Sequence, residues 1–455
     1  MADLQKHCDA VLRRRYLLLD QRIVERVENA TLRVCKAEKD TGNPLFKEDK
    51  PWEVRYDNLY ANVRRDPSSG LYQCWYSPFI VEEVTGNTPA ADRTKTTYKP
   101  GRREMGVCYA ESRDGITWTK PELGLVEFEG SKNNNLVARG PHGAGVYFDP
   151  RESDAARRYK MFYVDRGISG AFSPDGKRWS EAIRFPGIEA AGDTHNNAIW
   201  VSSLDKYVGI TRLWDRSAKQ RLVGRTESSD FMNWTKAVEV MRADPRSPDS
   251  QPYSMPIFEH EGVFLGLVAM FHVPTDTVQT ELAWSPDTVR WERIDAGSPV
   301  VALGPAGSPD SGCAYSAAPV FERNEIRIYY GGSNGPHGGW RDGFFCLARM
   351  RPDGFAAFQP SSAGSPGVVV TRPVKVASAD LRINADARGG QLRVGVLESG
   401  GGPGALSLNQ AVPIQTDVLD GPCRWKKGSL RSLVGKEVQF VFELRAARAF
   451  SFHFA

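Results

Sequence analysis

Short stretches in which apolar and polar positions alternate run through most of the chain. That period belongs to half-buried strands rather than to helices. Five of them are VCYAES (107–112), GAFS (170–173), LVGRTES (222–228), ELAWS (281–285) and CLARM (346–350). A related turn follows each one. Ser112-Arg113-Asp114-Gly115-Ile116-Thr117-Trp118 has the form S-x-D-G-x-x-W, and Ser173 to Trp179 repeats it. Ser228 to Trp234 and Ser285 to Trp291 keep the Ser, Asp and Trp, and a degenerate fifth copy runs from Arg351-Pro352-Asp353-Gly354 to Phe358. The copies stand about 55 to 66 residues apart, which is the interval of a repeated sheet unit. Ser and Asp side chains bond backbone N–H groups in a tight turn, and Gly accepts positive φ there. The Trp covers the hairpin. Each copy therefore predicts the hairpin between the third and fourth strands of a blade.

Reading backward from each copy gives two inner strands: 57–66 with 70–77, 143–149 with 158–165, 195–202 with 206–214, 253–261 with 263–271, and 314–324 with 325–332. Five such units predict an all-β fold, a five-bladed β-propeller over 51–365. Beyond that the pattern changes. DLRINAD (380–386), QLRVGVLES (391–399), VQFVFELR (438–445) and AFSFHFA (449–455) predict a C-terminal β-sandwich over 366–455. Residues 1–50 read as a helical or extended lead-in packing on the propeller, with LLLDQRIVE (17–25) adding a strand to a blade.

Composition agrees with this picture. A chain of 455 residues suits two or three domains, and 43 Gly with 29 Pro suit many turns. The near balance of 59 basic and 55 acidic residues argues against a nucleic-acid partner. No apolar run approaches the ~20 residues of a membrane span. Three arginines interrupt VLRRRYLLL (11–19), so no secretory leader is read and a cytoplasmic location is expected. Seven cysteines without C-x-x-C spacing read as reduced core thiols; neither a metal site nor a cofactor is expected.

The chemistry is expected where inner strands begin, because polar groups from all blades converge there. Those positions are Trp52, Glu53, Arg55 and Asp57; His142; Asp193, His195, Asn196 and Asn197, with Glu189 slightly earlier; Asp249 and Tyr253; and Asp310, with His337 beyond the second strand. Converging carboxylates suit glycosidic bond cleavage, in which one attacks or activates water while another donates a proton. Asp57, Asp193 and Asp310 are therefore the expected catalytic residues. Trp52, Glu53, Arg55, His142, His195, Asn196, Asn197, Tyr253 and His337 are expected to bind the substrate, a carbohydrate.

With these residues placed, the chain resembles the five-bladed-propeller glycosidases of families 32 and 43 and their less studied relatives. The resemblance rests on LLLDQRIVE, NPLFKEDKPWE (43–53), ESRDGITWTKPELG (111–124), DTHNNAIW (193–200) and DLRINADARGGQLRVGVLE (380–398). It implies a blade-one Asp as nucleophile or base, an Asp in blade two and a Glu acid in blade three. Asp57 stands near the first position, Asp193 or Glu189 near the third, and His142 where the blade-two Asp is expected. The W-x-N-D-P-N-G signature is absent. Three readings follow: a glycoside hydrolase acting on an oligosaccharide or polysaccharide, a carbohydrate-binding propeller without turnover, or a phosphorolytic enzyme in which Arg55 and His142 hold phosphate.

Overall fold

The computed structural model describes residues 15–93, 95–397 and 404–455. The protein is nearly all β. Glu83–Asn87 and Ala90–Arg93 are the only α-helices among the described residues, and no described helix is long and apolar enough to cross a membrane.

Five four-position meanders follow one another. The first comprises Arg55–Arg65, Tyr72–Glu82 and Arg103–Ser112, with Trp118–Thr119 and Leu136–Arg139 sharing the fourth position. The second comprises His142–Phe148, Tyr159–Val164, Ile168–Ser173 and Ile183–Arg184. The third comprises Asn197–Val201, Lys206–Asp215, Gln220–Ser228 and Val238–Met241. In the fourth, Ser250–Ser254 and Ile257–His260 pair with Val263–His272, followed by Thr277–Ser285 and Glu292–Arg293. In the fifth, Cys313–Ser316 and Val320–Phe321 pair with Ile326–Ser333, followed by Gly343–Met350. The outer position of this last unit is filled from the N-terminal segment, by Glu38–Lys39 and Phe46–Lys47.

The repeated turns explain why the units close on themselves. Asp114 accepts the N–H groups of Ile116 and Thr117, both at 2.8 Å, and Ser112 Oγ accepts that of Gly115 at 2.8 Å. The residue after each Asp is left-handed in four copies, whether it is Gly115, Gly176, Phe231 or Thr288. Each turn then docks on the preceding unit. Trp75 Nε1 donates to the Gly176 carbonyl at 2.6 Å, Phe231 packs on Phe162 and Phe172, and Arg225 Nε donates to Thr288 Oγ1 at 3.0 Å. The Tyr329 hydroxyl donates to the Gly115 carbonyl at 2.9 Å, which seats the first unit's turn on the fifth. The contacts are circular, as in a propeller.

The fifth copy departs from the expected hairpin. Its Asp353 is itself left-handed, and the chain leaves the ring into Ala356–Pro360, a strand of the sandwich. Asp353 joins the two parts, accepting from Ser451 Oγ at 2.6 Å and lying 2.8 Å from His260 Nε2. One sandwich sheet runs Ala30–Val34, Ala356–Pro360, Arg448–Phe454, Leu381–Asp386 and Asp417–Pro422, and the other Val24–Glu28, Gly367–Thr371, Glu437–Arg445 and Val374–Lys375. Both sheets bury one core that includes Val369, Ile383, Phe440 and Phe452.

LLLDQRIVE does not add a strand to a blade. Tyr16–Leu17 pairs with Arg448–Phe454, and Val24–Glu28 with Gly367–Thr371, both in the sandwich. Its apolar run serves two cores at once: Leu17 and Leu19 enter a propeller core, and Leu18 enters the sandwich core. Alternation reports burial of a face and not the identity of the partner.

Candidate active site

The inner strand of the first unit is distorted where it reaches the centre of the ring. Leu59 and Tyr60 are successive left-handed residues (φ 63° and 43°), and the pairing register shifts on both sides of Leu59. Such a conformation costs a non-glycine residue roughly 1–2 kcal/mol, so the surrounding packing must hold it in place. The Tyr60 ring lies 5.4 Å from that of His195, 6.2 Å from His142 and 6.2 Å from Tyr315. Tyr253 continues the cluster at 5.6 Å from Tyr315 and 4.9 Å from His337. Side chains from all five units meet here.

Two carboxylates belong to this cluster. Asp193 pairs with Arg212 and with His142 Nε2, the latter at 3.0 Å. Its side chain is 52% exposed, whereas that of Arg212 is only 8% exposed. Burial would raise the Asp193 pKa, but the hydrogen bond from His142 and the Arg212 charge overcome it and hold the carboxyl well below its ordinary range. Burial likewise opposes protonation of His142, yet the Asp193 hydrogen bond and the charges of Asp57 and Asp193 leave its pKa raised. Asp57 is held by Arg341, whose Nη2 donates to the Asp57 carbonyl at 2.8 Å, to Asp57 Oδ1 at 3.2 Å and to Asn58 Oδ1 at 3.1 Å.

Burial favours the neutral form of the other two central histidines. Burial pushes the His195 pKa down to about 3, and its Nε2 lies 3.1 Å from Asn62 Oδ1. Burial also drives His337 down, with the Arg341 and Arg221 charges adding to the effect, and its Nδ1 lies 3.0 Å from the Tyr315 hydroxyl. An ionised carboxylate, an imidazole able to carry a proton and an aromatic wall therefore share one site.

Of the expected residues, Asp57, Arg55, His142, Asp193, His195, Tyr253 and His337 come together here. The others are committed elsewhere. Asp310 is buried against Lys39 and accepts from Tyr330 at 2.8 Å and Ser308 at 3.0 Å. Glu53 is buried with Lys120 at 2.7 Å and Tyr76 at 2.6 Å, and Trp52 Nε1 donates to Asn135 Oδ1 at 2.7 Å. The Asn196 amide donates to the carbonyls of Gly143, Gly192 and Thr194, and that of Asn197 to His195 and Met255. These amides tie units two, three and four together. Glu189 is an exposed partner of Lys236, and Asp249 is exposed.

Tyr60, Arg212, Arg221, Tyr315 and Arg341 went unread because none opens an inner strand. One signal was available: Arg212 and Arg225 interrupt otherwise apolar stretches of adjacent strands, and both are buried. Among the described residues no group of three His, Cys, Asp or Glu side chains is arranged to hold a metal ion. A cavity of about 690 Å³ lies in the sandwich, lined by Gln359, Asp386, Arg388 and Arg448 among others. There Asp386 pairs with both arginines at 2.8 Å.

No family model matches the chain, and no curated protein sequence does. Solved structures do show similarity. An N-acetylgalactosamine deacetylase from F. plautii, in complex with blood group B trisaccharide, is 15% identical with a TM-score of 0.47, over 71% of this chain and 96% of that one. A glycosyl hydrolase from Bacteroides ovatus is 15% identical with a TM-score of 0.46, over 70% and 95%. A structure from the GH130 family of mannoside phosphorylases, described as containing glycoside hydrolases that target β-1,2 mannosidic linkages in Candida mannan, is 15% identical with a TM-score of 0.45, over 74% and 97%. At these identities and TM-scores they assign neither substrate nor residue roles to this chain. The site is defined by its own geometry.

Proposed function

We propose that the chain is a carbohydrate-active enzyme that cleaves a glycosidic bond at the central site, with Asp57 and Asp193 as its catalytic carboxylates. The observation that carries this reading is Asp193: open to solvent, yet fixed by side chains from two different units. A carboxylate kept ionised in this way suits attack on an anomeric carbon or activation of water. His142, whose pKa is raised by that same carboxylate, suits proton delivery to the departing oxygen. Tyr60, Tyr253 and Tyr315 are buried behind the site and pack against His142, His195 and His337. Asp310 is set aside as a structural anchor for the N-terminal segment, because it is buried and pairs with Lys39 of that segment.

The test is incubation of the full chain with a panel of oligosaccharides, with and without inorganic phosphate, followed by chromatography of released sugars. Cleavage of at least one substrate is expected, falling roughly a hundredfold or more in Asp57→Asn. Binding without cleavage across the panel would favour a sugar-binding propeller instead. Full activity in Asp57→Asn would remove that residue from the chemistry.

A further inference from the structure

Four arginines crowd the central site. Arg55 and Arg341 come from the first and fifth units, and Arg212 and Arg221 from the third. Arg55, Arg212 and Arg341 are buried. Asp57 and Asp193 answer only part of this charge; Glu82, which also faces Arg55, is 3.8 Å from Arg103. Five buried guanidinium nitrogens have no hydrogen-bond partner among the described residues: Arg55 Nη1, Arg212 Nε and Nη1, Arg221 Nε and Arg341 Nε. Leaving a buried charged donor unsatisfied is costly, and here several lie in one region. The charges also act on one another. Burial and then Arg341 depress Arg55, while burial, and Arg212 among its neighbours, depress Arg221.

A protein that buries cations without enough anions has left room for an anion to come from outside. Guanidinium groups match carboxylate and phosphate oxygens in pairs and are less strongly hydrated than ammonium groups. Rings hold one of these guanidinium groups in place: Arg221 lies 5.0 Å from the Tyr253 centroid and 4.7 Å from that of Phe271. We propose that the central site binds a compact oxyanion alongside the sugar, held by Arg212 and Arg221 with Arg55 and Arg341. This rests on reading the site as one for carbohydrate. The oxyanion is either the carboxylate of an acidic sugar residue or free phosphate.

Calorimetric titration of the full chain at fixed ionic strength, with D-glucuronate, D-glucose and inorganic phosphate, separates the sources. At least one anion is expected to bind about tenfold or more tightly than glucose, and to weaken about tenfold in Arg221→Gln and Arg212→Gln. Arg221 is only partly buried, so that variant stands if Arg212→Gln does not fold. Tight glucuronate with weak phosphate assigns the anion to the sugar. Tight phosphate, with glucuronate no better than glucose, assigns it to the free ion. Neither anion exceeding glucose, or anion binding undiminished in Arg221→Gln, would overturn the proposal. Binding is read without turnover, so anion binding in a chain that cleaves nothing would sustain this inference and defeat the proposed cleavage.

Discussion

Asp114 and Asp193 are the same residue type in two different settings. Asp114 sits exposed in a repeated turn, and its pKa falls to about 2 chiefly because the backbone N–H groups of Thr117 and Ile116 donate to it. Asp193 is also exposed and also held low, but its partners are His142 from the second unit and Arg212 from the third. The first carboxylate is satisfied by residues that follow it directly and organises a turn. The second is satisfied only when distant segments have assembled, and its partners are ionisable. A low carboxylate pKa therefore marks function only when the groups causing it converge across the fold.

This contrast can be broken from either side. The largest effect is expected from Gly143→Ala, at the point where the second unit meets the loop carrying Asp193. Gly143 has φ +59°, and a Cβ there would lie 1.6 Å from the Thr194 carbonyl oxygen, a backbone atom with no easy retreat. A loss of about 3 kcal/mol is expected in denaturant unfolding. A loss below about 1 kcal/mol would show that the approach of the two segments is not tightly held.

A smaller effect is expected in the titration of His142, followed by NMR. Its folded pKa is raised above the ordinary 6.5, so its stabilising contribution is complete below that value and disappears as pH rises through the raised one. The Asp193 pKa is depressed below the ordinary 3.8, so its contribution is present above that value and is lost as pH falls through the depressed one. The pair is thus strongest between these limits. In Asp193→Asn, the His142 pKa is expected to drop below 6.5, because burial then acts with less opposition. An unchanged His142 titration would separate the two residues.

Much of the scaffold could be read from the chain alone, because its determinants are local. Ser112 with Asp114, and Ser173 with Asp175, form turns from residues two or three positions apart. The near-continuous apolar runs of Lys206–Asp215 and Val263–His272 follow directly from strands covered on both faces. The closure of the fifth unit was not legible. Its outer strands, Glu38–Lys39 and Phe46–Lys47, are two residues each and carry no period. At the site, Asp57 and Asp310 look alike as acidic residues near strand entrances, but only the structure shows Lys39 arriving to occupy Asp310. Arg341 was invisible for the related reason that it lies in a loop after the last inner hairpin, where no periodic signal places it. Partners brought together by closure of the ring leave no local trace.

The most direct test places Asp193→Asn and Asp114→Asn side by side in glycoside cleavage and thermal unfolding. Asp193→Asn is expected to lose cleavage roughly a thousandfold while staying folded at the assay temperature, whereas Asp114→Asn keeps the parent rate and loses about 1 kcal/mol of stability. Equal cleavage by the two variants would contradict the assignment of the chemistry to the central site.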